Sequence, residues 1–290
     1  MKDKFDLRKG VFKQAKVATD SSGGMTLVLP EIDENELAKK LPPVTIITIT
    51  KNRAQFASLM LYNWINLTYP RDKLEWLILD DSTDTDYLLS DYIPQEDPYI
   101  RYVKLDKEYS IADKRNKAVE LAKYDFIVHM DDDDFYFPDH VLAKIRLILH
   151  YNVQGVHSIP IGVYDLMEGS SYICDTTLKD GLNTNNIAEG TIAYRKEYWQ
   201  NNKFGTKPGC SEGRSFINKH FNQWLNFHFL FNMISITHTK NVTGNSRRFI
   251  NESLENLKTG KFDDIFPEDF KGILKNIKAL LAAEYKRPTN

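Results

Sequence analysis

The chain has 290 residues, which is enough for one large domain or two small ones. Its 38 lysines and arginines nearly balance its 40 aspartates and glutamates, so the formal net charge is -2 at pH 7. Because general nucleic-acid binders usually carry a basic excess, this balance argues against a nucleic-acid partner.

The first half of the chain alternates predicted strands and helices. Residues 1–40 are weakly patterned and are predicted to be an extension with one short strand. A β-branched strand follows at 44–50, and then a helix that Pro70 stops. The later predicted elements are strands over 74–79, 99–105 and 124–130 and helices over 110–122 and 140–150, with Ser110 as the N-cap of the first of these helices. This alternation predicts a mostly parallel sheet with helices on both faces.

Polar residues cluster where three of the predicted strands end, and open sheets of this kind bind ligands at the carboxyl ends of their strands. The three clusters are Thr48, Thr50 and Arg53; Asp80, Asp81 and Ser82; and the unbroken acidic run Asp131, Asp132, Asp133 and Asp134. Adjacent carboxylates repel one another unless solvent, basic groups or a hard cation compensates, so the run indicates a metal–phosphate site, with a solvated acidic turn as the simpler alternative. The first strand has no G-x-G-x-x-G after it and the chain has no Walker loop, which excludes a dinucleotide fingerprint and a P-loop.

The second half is less regular. Residues 155–174 predict a hairpin, 190–194 a short strand, 215–225 a helix and 227–237 a strand that ends at His238. Residues 270–281 have apolar side chains at helical spacing, which predicts a docking helix, with a membrane-surface helix as the minor alternative.

Four segments, in order, resemble the GT-A glycosyltransferases of the family 2 type: VTIITITKNR, LILDDSTD, KRNKAVELAKYDFIVHM and DDDDFYFP. The resemblance implies a GT-A fold, which is a Rossmann-like, mostly parallel sheet with helices on both faces and a small antiparallel acceptor-side region. We expect this domain to cover residues 41–250, between the N-terminal extension and a helical tail over 251–290.

The resemblance also implies roles for the matching residues. Thr48, Thr50 and Arg53 would edge the nucleotide base. Asp81 would accept a hydrogen bond from the base, and Asp80 would support the turn. The remaining implied roles are Arg115 at the nucleotide or diphosphate, Asp131 at the ribose and donor sugar, Asp133 and His238 at a divalent metal, and Arg247 or Arg248 as a clamp on the diphosphate.

Two further expectations concern carboxylates. Glu212 would be the general base, although Gly213 stands where the family usually has a second acidic residue, so Glu189 and Asp175 remain alternatives. Within the acidic run, Asp132 would be a spacer pointing away from the site. Asp134 would be either a turn residue or a residue that supports those in direct contact with the ligand.

The expected function is an inverting transfer of a sugar, a hexosyl group in the simplest case, from a nucleotide-sugar such as a UDP-sugar to an acceptor hydroxyl, with Mn²⁺ or Mg²⁺ as cofactor. The acceptor could be a glycan, a protein or a lipid. A nucleotidyltransferase is the alternative enzyme, disfavoured because the loop TITKNRAQF lacks glycine, and an inactive nucleotide-sugar-binding or scaffold module is the third hypothesis.

We also expect a cytoplasmic protein. Two cysteines, Cys174 and Cys210, are a poor disulfide framework, and the charged amino terminus lacks an apolar signal segment. No membrane span is predicted, and peripheral contact with a membrane would involve the C-terminal helix.

Overall fold

The computed structural model describes residues 18–19, 25–26, 41–85, 88–174, 187–205, 212–217, 220–241, 262 and 265–285. The strands are β1 (Ala18–Thr19), β2 (Met25–Thr26), β3 (Val44–Thr50), β4 (Leu74–Asp80), β5 (Ile100–Lys104), β6 (Phe126–His129), β7 (Phe135–Tyr136), β8 (Gly155–His157), β9 (Ile161–Asp165), β10 (Ser170–Cys174), β11 (Ala193–Arg195), β12 (Trp224–Asn226) and β13 (Met233–Thr237). The α-helices are α1 (Ala57–Ile65), α2 (Ile111–Leu121), α3 (His140–Tyr151), α4 (Lys196–Asn201), α5 (Glu212–Ile217) and α6 (Glu268–Tyr285).

A seven-stranded sheet in the order β12-β8-β11-β6-β3-β4-β5 forms the centre of the fold. β3 pairs in parallel with β4 and β6, β4 pairs in parallel with β5, and β12 pairs in parallel with β8. β11 runs antiparallel to both of its neighbours. The prediction of a mostly parallel sheet is therefore confirmed, and the carboxyl ends of β3, β4 and β6 lie at one edge.

Helices cover both faces of this sheet, as predicted. Successive side chains of β3 point to opposite faces, so Ile46 and Ile47 belong to different buried clusters. Ile46 lies in the cluster with side chains of α1 and α3, such as Trp64 and Ile145. Ile47 lies in the cluster with side chains of α2, α4 and α5, including Val119.

Side chains and backbone geometry define where the helices begin and end. Ser110 caps α2 as predicted, because its hydroxyl oxygen accepts a hydrogen bond from the Asp113 amide at 3.1 Å. Asn152 ends α3 in the left-handed conformation, with φ of 49°, and its amide bonds to the Ile148 carbonyl.

A second, four-stranded sheet in the order β10-β9-β13-β7 lies beside the first. β9 and β10 form the predicted hairpin, and β13 pairs antiparallel with β7 but parallel with β9. The small sheet is therefore mixed rather than purely antiparallel. The acidic run 131–134 joins β6 of the large sheet to β7 of the small one.

Helix α6 is the predicted docking helix. Phe270, Leu274, Ile277 and Leu281 are buried in a cluster that includes Phe135 of β7. Because this apolar face is covered by protein, the alternative of a membrane-surface helix is wrong for this segment. Within the described parts of the chain, no helix is long and apolar enough to cross a bilayer.

Two predictions for the second half are wrong in detail. The helix predicted over 215–225 ends at Ile217, and β12 occupies its last positions. The strand predicted over 227–237 is a 3-10 turn at Phe229–Phe231 followed by β13. The turn allows Phe229 and Phe231 to be buried in different clusters, which an extended segment with both side chains on one face would prevent.

Candidate active site

The loop after β3 is joined to the loop after β4. The Asn52 amide donates to Ser82 Oγ at 2.7 Å, and Asn52 Oδ1 accepts from the amides of Thr83 and Asp84 at 3.1 and 3.3 Å. Asn52 has φ of 53°, a conformation that asparagine tolerates better than most residues. Two of the three predicted polar clusters therefore form one continuous edge, and Asn52 connects them.

Thr48 is enclosed by protein at the seam between β3, β4 and β6. It is 1% exposed. Its hydroxyl donates to the Met130 carbonyl at 2.7 Å and accepts from Trp76 Nε1 at 2.9 Å. Both capacities of the hydroxyl are used inside the fold, so Thr48 ties the strands together and does not edge the site.

Asp80 holds the turn after β4, the part predicted for it. Its Oδ1 accepts from the amide and the hydroxyl of Ser82, and its Oδ2 accepts from the hydroxyl of Tyr102 at 2.8 Å. Asp80 is fully buried. These bonds fix the backbone that presents the next residue, Asp81.

Asp81 forms a buried ion pair with Lys114 of α2 through Oδ1, and its Oδ2 accepts from the Tyr109 amide at 2.9 Å. Lys114 Nζ also donates to the Thr50 carbonyl at 2.9 Å. Lys114 therefore connects the ends of β3 and β4 to α2. The signal in the sequence was a lysine on the otherwise apolar face of the predicted helix. A nucleotide base that bonds to Asp81 would share a carboxylate that Lys114 and Tyr109 already use.

Arg53 binds the acidic run directly. Its Nη1 donates to Asp132 Oδ1 at 3.0 Å and to Asp133 Oδ2, and Thr50 donates to Asp132 Oδ2 at 2.6 Å. Burial alone would lower the pKa of Arg53, but Asp132 and Asp133 outweigh it and raise the pKa. Asp132 is 4% exposed and bonded on both oxygens, so the prediction that it is a spacer pointing away is wrong.

His238 also contacts Asp133, at the oxygen that Arg53 binds. His238 Nδ1 accepts from the Lys240 amide at 3.1 Å, and His238 Nε2 lies 3.1 Å from Asp133 Oδ2. Asn241 Nδ2 donates to the same carboxylate oxygen at 3.0 Å. The fourth aspartate of the run turns toward the small sheet, where Asp134 Oδ1 accepts from the hydroxyl of Ser235 and the amide of the next residue.

The donor set at Asp133 and His238 suits Mn²⁺ or Mg²⁺, because carboxylate oxygen and imidazole nitrogen both bind such ions. Across the part of the chain that the structure describes, no group of three or more histidine, cysteine, aspartate or glutamate side chains gathers around a common point. Magnesium sites in enzymes acting on phosphates commonly use one or two protein ligands and take the rest from substrate and water. The two side chains fit that kind of site.

Arg115 lies at the other end of the acidic run. Its Nη1 is 2.9 Å from His129 Nδ1 and 3.6 Å from Asp131 Oδ1. His129 Nε2 is 3.1 Å from the Tyr194 hydroxyl. Burial and the positive charge of Arg115 hold the pKa of His129 well below its ordinary value, so the ring is neutral and accepts from Arg115. His129 is a buried core residue that orients Arg115.

Two glutamates, Glu189 and Glu212, lie near Arg115. Burial would lower the pKa of Arg115, but the carboxylates of Asp131, Glu189 and Glu212 raise it. Glu212 is the first residue of α5, and Glu189 Oε1 accepts from the Gly213 amide at 2.6 Å. Glu212 and its alternative Glu189 therefore lie close enough to Arg115 to act on its charge, as Asp131 does. Arg247, Arg248 and Asp175 lie outside the described residues.

An open, mostly parallel sheet, helices on both faces and an acidic run at its carboxyl edge are together typical of the GT-A fold. The chain belongs to glycosyl transferase family 2, whose sequence profile matches residues 45–223. The resemblance seen in the four sequence segments is thereby confirmed.

One curated relative is the putative colanic acid biosynthesis glycosyl transferase WcaA of Escherichia coli (strain K12), which is 30% identical over 117 residues. That match covers 39% of this chain and 41% of the relative, so the chain spans less than half of the relative's length.

Two solved structures share the fold. The mannosyltransferase PcManGT from Pyrobaculum calidifontis, in complex with GDP-Man and Mn²⁺, aligns with a TM-score of 0.55 and 18% identity over 96% of this chain and 76% of its own. S. aureus TarS 1–349, in complex with UDP-GlcNAc, aligns with a TM-score of 0.53 and 15% identity over 77% of this chain and 69% of its own.

Proposed function

We propose that this glycosyltransferase moves a sugar from a nucleotide-sugar, a UDP-sugar in the first instance, to an acceptor hydroxyl with inversion at the sugar carbon. The observation that carries the proposal is the placement of positive charge around the acidic run. Arg53 bonds to Asp132 and Asp133 at one end, and Arg115 lies 3.6 Å from Asp131 at the other. A diphosphate would be repelled by a purely acidic edge, and guanidinium groups are well suited to binding it.

Asp133 and His238 would hold a divalent metal ion. When bound, the ion supplies positive charge that stabilises the departing diphosphate. Because Arg53 and His238 both bond to Asp133 Oδ2, Arg53 would have to share or release that oxygen when the ion binds. Asp131, which is partly exposed, is proposed to bind the ribose and the donor sugar.

Side chains of this protein would orient the diphosphate and accept the proton. Arg53 and Arg115 orient the diphosphate, and the buried Asp81–Lys114 pair fixes the ends of β3 and β4 against α2. A carboxylate on the Arg115 side accepts the proton of the acceptor hydroxyl as that oxygen attacks the sugar carbon. Glu212 and Glu189 are the two candidates for this role.

The test is release of nucleoside diphosphate from UDP-GlcNAc, UDP-glucose, UDP-galactose and GDP-mannose, each with Mn²⁺, with Mg²⁺ and with EDTA. We expect turnover of at least one donor with a metal ion and its loss with EDTA. D133N and H238A should weaken Mn²⁺-dependent UDP binding in calorimetry, while D72N, a change at an exposed aspartate, should not. UDP binding without turnover of any donor would favour an inactive nucleotide-sugar-binding module instead.

A further inference from the structure

Glu189 lies close to Asp131, the carboxylate proposed to bind the donor sugar. It begins the 3-10 turn Glu189–Thr191, directly before β11. A Cβ atom placed on its neighbour Gly190 would lie 2.8 Å from Asp131 Oδ2 and 2.6 Å from the Tyr136 hydroxyl oxygen. The backbone beside Glu189 is therefore packed directly against the Asp131 carboxylate, in a space that admits no side chain.

One oxygen of the Glu189 carboxylate is anchored. The Gly213 amide donates to Oε1 at 2.6 Å, and Glu189 is partly exposed. Among the described residues, Oε2 has no hydrogen-bond donor. The carboxylate thus has a fixed position with one oxygen left for a proton from another molecule.

The absence of a side chain at position 213 follows from this arrangement. A Cβ atom on Gly213 would lie 3.1 Å from Glu189 Oε1 and 3.1 Å from the Ile187 carbonyl oxygen. Both contacts are tighter than ordinary van der Waals separation. A side chain at 213 would therefore require the Glu189 carboxylate or the Ile187 carbonyl to shift.

Glu212 has no comparable anchor among the described residues. Both glutamates act on Arg115, together with Asp131, but no hydrogen bond to the Glu212 carboxylate is present in the described part of the chain. A general base has to be held close to the reacting hydroxyl, since small misplacements reduce the rate strongly. The anchored carboxylate meets this requirement better.

We infer that Glu189, oriented by the Gly213 amide, is the general base of the transfer. The inference rests on the proposed function. As the acceptor oxygen bonds to the sugar carbon, its proton passes to Glu189 Oε2. The bond between that carbon and the phosphate oxygen breaks, and its electron pair leaves with the nucleoside diphosphate. No oxidant or further reactant is needed.

The test compares E189Q, E212Q and G213A with the wild type and with E197Q, a change at an exposed glutamate of α4. Nucleoside diphosphate release is followed with the donor panel above, with water or an added sugar as acceptor. E189Q keeps an oxygen for the Gly213 amide but cannot accept the proton, so we expect kcat to fall about 100-fold or more while donor KM and the melting temperature stay near wild type. G213A should lower kcat about 10-fold by displacing Glu189.

The pH profile separates a base from a purely structural residue. The acidic limb of kcat/KM in the wild type should be lost in E189Q and kept in E212Q. If E212Q loses that limb and E189Q keeps it, or if E189Q matches E197Q in kcat, the assignment of Glu189 is wrong while the glycosyl transfer itself stands. If the wild type turns over no donor, both the proposed function and the assignment fall.

Discussion

The ion pair between Lys114 and Asp81 offers a sharp test of how the site is built. The change is K114M, which keeps a long apolar side chain and removes the ammonium group. Lys114 is 5% exposed and Asp81 1% exposed, so neither charge has water to replace its partner. In K114M, Asp81 would keep the Tyr109 amide and the Thr50 carbonyl would lose its lysine donor.

The expected loss follows from burial. Removing one member of a buried ion pair typically costs about 3–5 kcal/mol, because the other charge is left uncompensated. A domain of this kind is stable by about 5–15 kcal/mol, so K114M should remove a substantial share of the free energy of unfolding. Removing the remaining charge as well, in K114M/D81N, should recover part of that loss.

The assay is equilibrium unfolding in urea, followed by tryptophan fluorescence, for K114M, D81N and the double variant. The matched control is K117M on the same helix. Lys117 lies 3.4 Å from Glu120, and their side chains are 38% and 63% exposed, so this change should stay within about 0.5 kcal/mol of wild type.

Two results would refute the reasoning. K114M could be as stable as K117M, or the losses in K114M and D81N could simply add in the double variant. Either result would mean that the two charges do not depend on each other in the folded protein.

Three further changes test other parts of the fold. Burial lowers the pKa of Lys144 well below its ordinary value, whereas the unfolded chain keeps this proton until about pH 10.4. The stability of the wild type relative to K144M should therefore rise as the pH increases toward about 10. T48V leaves Trp76 Nε1 and the Met130 carbonyl without their partner and should cost about 1–3 kcal/mol in urea unfolding. F270A empties a buried site under α6 and should cost about 3–5 kcal/mol.

Each of these changes has its own contrary outcome. An unchanged pH slope in K144M would show that the amine stays protonated in the folded protein. T48V within about 0.5 kcal/mol of wild type would show that water replaces the lost hydroxyl. F270A no less stable than L280A, a truncation at a half-exposed position of the same helix, would show that α6 does not hold the fold together.

The first half of the fold could be predicted because its local signals agree with its tertiary structure. Three local signals each indicate the element that the structure contains: the β-branched segment at 44–50, the Ser110 cap and the acidic run after a buried strand. The parallel arrangement of the strands alone predicts a candidate site at their carboxyl ends, and Arg53 and Asp133 do bond to each other there.

The partners of these residues could not be predicted, because they come from contacts between distant segments. Lys114 pairs with a residue 33 positions earlier, and His238 with one 105 positions earlier. Asp132 and Asp133 are adjacent in the chain, so their side chains are expected to point in opposite directions. In the structure, both carboxylates bond to Arg53. The short turns around 189–191 and 229–231 are set by packing, and no periodicity in the sequence marks them.

The acidic run is also one of the covalent connections between the two sheets. Asp132 is fastened to β3 of the large sheet through Thr50, whereas Asp134 is fastened to β13 of the small sheet through Ser235. Asp133 stands between these two anchor points. A shift of one sheet against the other would therefore move Asp133 relative to Arg53. Substitutions that change the packing of the small sheet can thus alter this ion pair without contacting either residue.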